Sequence, residues 1–205
     1  MRIFLSLAML FSFSVVAQES EEYKYEVESN KAEYYIGSFK DGKDVDDLTA
    51  WYGKFAKWAD SKGSTFDKMT VGILTPYFSS ELSTHAVMWV TTSPSPSAHF
   101  NGLQEWVTGG GASLLKSLPV VNSQVLDTWQ WTVSQPSSLS AGNLMYATYA
   151  DCSLEDGYNM RQIYDMYKDF AVFAQSQGDT LGRKLIVIES GGQLSEGVDF
   201  VRLMY

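Results

Sequence analysis

Residues 47–63 read DLTAWYGKFAKWADSKG, and residues 162–178 read QIYDMYKDFAVFAQSQG. Aligned without a gap, Tyr52 meets Tyr167, Phe55 meets Phe170, Ala56 meets Ala171, Ala59 meets Ala174, Ser61 meets Ser176 and Gly63 meets Gly178. Leu48 faces Ile163, Trp51 faces Met166 and Trp58 faces Phe173. In both stretches the apolar positions recur at i, i+3, i+4, i+7, i+10 and i+11, which is one face of an α-helix. Both end in glycine, the residue that accepts the positive φ usual just past a helix C-terminus. The pattern reads as one unit used twice. It predicts that both helices bury the same stripe: Leu48, Trp51, Tyr52, Phe55, Trp58 and Ala59 in one, and Ile163, Met166, Tyr167, Phe170, Phe173 and Ala174 in the other.

Working outward from the first helix, residues 34–39 (YYIGSF) read as a strand, and Asp44, Asp46 and Asp47 crowd the positive end of the helix dipole. Residues 69–75 and 85–92 suit an antiparallel hairpin with a longer loop. The run SPSPS at 93–97 is a sharp break, and helical material follows to about Leu118, interrupted at Gly109-Gly110-Gly111. A strand over 125–133 completes the order βαββαβ. After the linker SQPSSLSAGN (134–143) the order restarts, with strands over 144–150, 184–189 and 198–205 and a helix over 154–177, giving βαββ without the last helix and strand. Both faces of the final strand carry apolar groups, so it is expected to be buried on both sides.

A βαββαβ order is a split βαβ, or ferredoxin-like, unit. Two such units in one chain resemble the dimeric α+β barrel superfamily, in which two ferredoxin-like sheets pack around a shared interior. The chain also resembles uncharacterised secreted bacterial proteins with aromatic-rich repeats. The resemblance implies an α+β fold of two tandem ferredoxin-like repeats with antiparallel sheets, packed as a pseudo-dimeric α+β barrel. The expected divisions are a signal peptide (1–17), an acidic flexible leader (18–33), the first repeat (34–133), the linker (134–143) and a shorter second repeat (144–205). The resemblance carries over no catalytic residue.

The leader reading comes from MRIFLSLAMLFSFSVVAQES. Arg2 precedes an apolar run from Ile3 to Val16, and Val15 and Ala17 are small residues suited to a cut before Gln18. The expected location is therefore secreted or periplasmic, in a bacterium, with no membrane contact after cleavage. A single cysteine, Cys152, allows no internal disulfide and reads as an ordinary small residue before a helix. The formal net charge of −9 repels phosphates, and no basic stripe offsets it, so nucleic acid is excluded as a partner.

Signatures of chemistry are few. No His-Glu-x-x-His or Cys-x-x-Cys occurs, and His85 and His99 do not make a metal-ligand spacing, so no metal site is predicted. Gly109-Gly110-Gly111 fails the spacing of a phosphate-binding loop and reads as a break between short helices. No Gly-x-Ser-x-Gly elbow anchors a hydrolase triad. The six tryptophans, 12 tyrosines and 11 phenylalanines suit either an aromatic-walled pocket or a packed core.

Matching the two third strands sets Trp89 against Arg202. If each sheet turns its uncovered face to the other, His85, Trp89, Asp199 and Arg202 are the candidate ligand-binding residues at the junction. Arg202 would hold a carboxylate, Trp89 would stack on a flat ring and His85 would hydrogen-bond. The function expected is a non-catalytic module that binds a small ligand or a protein partner, with no cofactor named. The alternative is a small α+β barrel enzyme similar to cofactor-independent or haem-associated monooxygenases. An interior with convergent His, Arg or Asp would favour the enzyme.

Overall fold

The computed structural model describes residues 23–77, 86–138 and 142–205. Among them the chain order is β1 (Ser29–Phe39), α1 (Val45–Asp60), β2 (Thr70–Leu74), β3 (Ala86–Ser93), α2 (Pro96–Thr108), β4 (Val120–Ser134), β5 (Thr148–Cys152), α3 (Met160–Ser176), β6 (Arg183–Ser190) and β7 (Phe200–Met204). Short 3-10 turns at Gly63–Phe66 and Gly111–Ser117 follow α1 and α2.

The helices start and stop where local chemistry dictates. Asp44 caps α1 by accepting the backbone N–H groups of Asp46 and Asp47 at 3.0 and 3.2 Å, while Asp47 accepts from the backbone of Asp44 at 3.3 Å. Asn159 and Gln162 make the same reciprocal box on α3. Ser95 caps α2, and Pro96 occupies its first turn, where a missing N–H costs nothing. Gly63 and Gly178 have φ of 63° and 93°, as two helix-ending glycines should.

The strands form one antiparallel sheet in the order β2-β3-β1-β4-β6-β7-β5. The first four give the ferredoxin-like arrangement, with α1 and α2 on one face. Pairing of β4 with β6 carries the sheet into the second half, where α3 lies on the same side. The sheet curls. Tyr34 of β1 and Tyr149 of β5 are four strands apart in the order, which is ~19 Å in a flat sheet, yet their rings meet edge-on at 6.2 Å. The face away from the helices is thereby folded inward and filled by Ala32, Tyr34, Val90, Ile186 and Leu203. A polar network crosses this inner face. Lys184 donates to Asn30 and Gln130 at 2.8 and 2.7 Å, and Gln130 donates to the Tyr34 hydroxyl at 2.6 Å. As expected of the C-terminal strand, β7 is internal, with Phe200 buried towards α3 and Leu203 buried inward.

The helix-side core of the first half is built by Leu48, Trp51, Phe55 and Ala59 of α1 on Val87 and Val120. This is the predicted stripe, apart from Tyr52, which is 38% exposed. The corresponding prediction for α3 is corrected. Of the predicted stripe, Ile163 and Tyr167 do pack on the core, but Met166, Phe170 and Phe173 are exposed, and α3 docks mainly through Tyr164 and Ala171, both buried. The Tyr164 hydroxyl donates to the Thr132 carbonyl at 2.9 Å, which turns that side of the helix to the sheet. Residues before β1 hold the flank: the Lys24 and Tyr25 backbone N–H groups donate to Asp165 at 2.7 and 3.2 Å. No helix among the described residues is long and apolar enough to cross a membrane.

Candidate functional site

A cavity of about 440 Å3 lies between the helix-side face of β1 and β3 and the covering layer of α1, α2 and the 3-10 turn at Gly63–Phe66. Its walls are mostly aromatic. Trp89 stands edge-on to Trp51 and Phe55, with ring centres 5.4 and 5.6 Å apart, and Trp106 lies 5.9 Å from Phe55. The indole N–H of Trp51 is anchored on the Leu114 carbonyl at 3.0 Å, and that of Trp58 on the Gly109 carbonyl at 3.2 Å, so the rings are oriented as well as buried. Gly102 lets α2 approach closely, since a Cβ there would stand 3.1 Å from the Phe66 ring.

One polar cluster interrupts this apolar wall. The cap at Ser95 places His99 one turn into α2, pointing at the sheet and only 6% exposed. Its Nε2 is 3.5 Å from a carboxylate oxygen of Glu33 on β1. The other Glu33 oxygen accepts the Tyr35 hydroxyl at 2.7 Å. Alternation along β1 puts Lys31, Glu33 and Tyr35 on one face. Burial, followed by the Glu33 charge, pushes the Tyr35 phenol far above its usual range, so it remains a proton donor to Glu33. Lys31, next along the strand, is 1% exposed and ion-paired to Asp127 at 2.6 Å and to Glu189. Burial works against its charge, but the hydrogen bonds to these carboxylates outweigh it and raise its pKa. The site therefore combines an oriented imidazole–carboxylate pair with flat apolar walls, the elements of proton transfer on a bound apolar molecule. Among the described residues no group of three or more His, Cys, Asp or Glu side chains could hold a metal ion.

The four residues singled out from the sequence are not gathered in one place. His85 lies outside the described residues. Trp89 lines the cavity and faces α1, not the inward side of the sheet. Arg202 is separated from it by β1, β4 and β6, ~19 Å along the sheet, and its charge acts on Tyr167 of α3. Asp199 precedes β7, where its carboxylate accepts the Leu154 backbone N–H at 2.7 Å. Both matched side chains therefore lie on the helix-covered face, while the inward face is packed with other residues. Glu33 and Tyr35 were not singled out in the sequence. Only the alternation Lys31-x-Glu33-x-Tyr35 hints that they share a face.

Among solved structures, a mutant chlorite dismutase from Candidatus Nitrospira defluvii is similar to this chain at 14% identity, over 90% of this chain and 79% of that one, with a TM-score of 0.45. A second mutant of that enzyme gives 13%, 88% and 77%, with a TM-score of 0.45. A putative chlorite dismutase gives 14%, 85% and 78%, with a TM-score of 0.40. No family model matches the chain, and no curated protein does. Likeness at this distance transfers no reaction, ligand or residue to this chain; the ferredoxin-like order and the curl of the sheet rest on its own strand pairing. The expectation of a non-catalytic binding module is corrected: the cavity under α1 and α2 brings His99 onto Glu33, the kind of convergent polar interior that favours the alternative, a small α+β barrel enzyme.

Proposed function

We propose that the chain is a small α+β barrel enzyme, similar to cofactor-independent or haem-associated monooxygenases, acting on a small, flat, largely apolar molecule in the cavity under α1 and α2. The observation that carries this reading is the buried His99–Glu33 pair at 3.5 Å, opening on aromatic walls. Glu33 faces the imidazole from β1. His99 takes or returns a proton, and Tyr35 holds Glu33 from the other side. A cavity of about 440 Å3 suits one small ligand.

Haem does not fit these residues well. The His99 Nε2 is turned onto Glu33, and among the described residues Lys68 is the one Lys or Arg in the lining to meet a haem's two propionates. We therefore favour the cofactor-independent branch and route no step through haem.

The fold belongs to the same reading. Two ferredoxin-like units, 34–133 and 144–205, would be joined by 134–143 into a pseudo-dimeric barrel, the second lacking a helix and a strand. The order β6-β7-β5 matches β2-β3-β1, which supports this. Secretion with cleavage before Gln18 completes the proposal.

The test is dioxygen uptake with a panel of electron-rich aromatic compounds, read beside quenching of tryptophan fluorescence. Wild type should bind and turn over at least one of them. His99→Ala and Glu33→Gln should bind it but lose about 10²-fold or more in rate. Absence of both binding and uptake across the panel would overturn the reading. A Soret band on adding haemin, lost in His99→Ala, would transfer it to the haem-associated branch.

A further inference from the structure

Four buried side-chain polar atoms among the described residues lack a hydrogen-bond partner: Asp127 Oδ1, Tyr167 Oη, Arg183 Nε and Arg202 Nε. The first has the Lys31 ammonium 2.6 Å away. The other three belong to one place. Leu185 is paired with Arg202 across β6 and β7, and Arg183 sits two residues before Leu185 on the same face. The two arginines are therefore diagonal neighbours, ~7–8 Å apart at Cβ. Tyr167 descends on them from α3. Burial raises its phenol pKa, and the Arg202 and Arg183 charges pull it back down, which puts both guanidinium groups beside the ring.

Two of these atoms, Arg183 Nε and Arg202 Nε, can only donate, and buried donors without acceptors are rare enough to require an explanation; the Tyr167 hydroxyl can also accept, and it lies within hydrogen-bonding reach of Arg183. Arg183 spends its Nη1 on Asp179 at 2.6 Å, on the Leu181 carbonyl at 3.2 Å and on the Ser134 hydroxyl at 3.4 Å, leaving Nε over. Arg202 has no carboxylate partner among the described residues. The cluster thus carries one compensated and one uncompensated positive charge. Above it the α3 surface is open: Phe170 and Phe173 are 52% and 64% exposed, and Phe170 lies over the Arg183 guanidinium at 5.6 Å. In the first half α2 and its 3-10 turn cover the same region of α1.

We propose that the layer between α3 and strands β6–β7 binds a small organic carboxylate, its head on Arg202, Arg183 and Tyr167 and its apolar body along Phe170. One uncompensated charge matches a monoanion. A carboxylate accepts several donors at once and replaces the missing acceptors. The aromatic flank favours an organic anion over an inorganic one. This site is separate from the His99–Glu33 cavity and does not depend on it.

The experiment is calorimetric titration of the full chain at low ionic strength with benzoate, 3-phenylpropionate and the uncharged analogue benzamide, read together with the melting temperature. Benzoate and phenylpropionate should bind and raise the melting temperature, and benzamide should not. Arg202→Met should weaken benzoate at least about tenfold and Tyr167→Phe severalfold, with circular dichroism confirming that each variant folds. His99→Ala should bind benzoate as wild type does. Equal binding of benzamide and benzoate, undiminished affinity in Tyr167→Phe and Arg202→Met, or no binding of either carboxylate at millimolar concentration would each overturn the proposal. Should Arg202→Met fail to fold, Tyr167→Phe and the benzamide comparison still decide it.

Discussion

Phe55 of α1 and Phe170 of α3 hold corresponding places in two matching stretches, yet Phe55 is 8% exposed and Phe170 is 52% exposed. The difference comes from what covers each helix. Phe55 is roofed by Trp58, Phe66 and Trp106, contributed by α1 and the segments after it. Among the described residues the second half has no counterpart to α2. Phe55→Ala should therefore destabilise the fold by about 3–4 kcal/mol, and Phe170→Ala by less than about 1 kcal/mol. Urea unfolding of the two variants checks this, and equal losses would contradict it.

Lys184 predicts an alkaline rise in stability. Burial lowers its pKa from 10.5 to about 8, because its partners Asn30 and Gln130 are neutral and no carboxylate offsets the desolvation. Between these values the unfolded chain binds more protons than the folded one, so stability increases with pH. The gain is about 3 kcal/mol once pH has passed through the whole interval. Burial also raises Tyr149 to about 12 and Tyr34 well above its usual value, so above pH ~10 the unfolded chain loses tyrosine protons that the folded chain keeps. Stability should then fall. Unfolding free energies at pH 7, 8 and 9, below the tyrosine range, should rise in wild type and stay flat in Lys184→Met.

Lys31 is the charge most costly to remove. Replacing it by Met leaves Asp127, with a side chain only 20% exposed, without its cation, and strips the Trp129 ring of an ammonium at 4.9 Å. A loss of about 3 kcal/mol is expected. Adding Asp127→Asn should recover part of it, since no buried charge then remains unpaired. A double variant as unstable as the single one would show that packing of the lysine stem, not charge, is what matters.

Tyr164→Phe tests how α3 is set on the sheet. The phenol is wholly buried and donates to the Thr132 carbonyl at 2.9 Å. Its loss leaves that carbonyl short of a donor and should cost about 1–3 kcal/mol. Hydrogen exchange should quicken in Tyr23–Glu28 as well, because the backbone N–H of Glu28 rests on the same oxygen at 3.4 Å. Unchanged exchange there would mean that the segment is held by its other partners on α3: Asp165, Asp169, which accepts from the Lys24 ammonium and the Tyr25 hydroxyl, Arg161 and Lys168.

Element order and helix ends were legible in the residues because the forces behind them are local. Asp44 and Asn159 cap helices with their own neighbours, Gly63 and Gly178 end them through one backbone angle, and apolar spacing distinguishes helix from strand within a dozen residues. The same local pattern named the buried side of α1 correctly, and misnamed that of α3, where burial depends on a covering helix and on a hydrogen bond to Thr132. Glu33 and His99 are 66 positions apart, and no spacing rule joins them. Their meeting was decided when β1 paired between β3 and β4, turning Glu33 to the helix side, and when α2 crossed that face. Likewise Trp89 and Arg202 match in sequence, but strand order puts β1, β4 and β6 between them, ~19 Å along the sheet. The residues determined which segments are helix and strand. Only the pairing of distant strands and the packing of helices on them decided which side chains share a site, because those contacts are set by the whole sheet and not by any one segment.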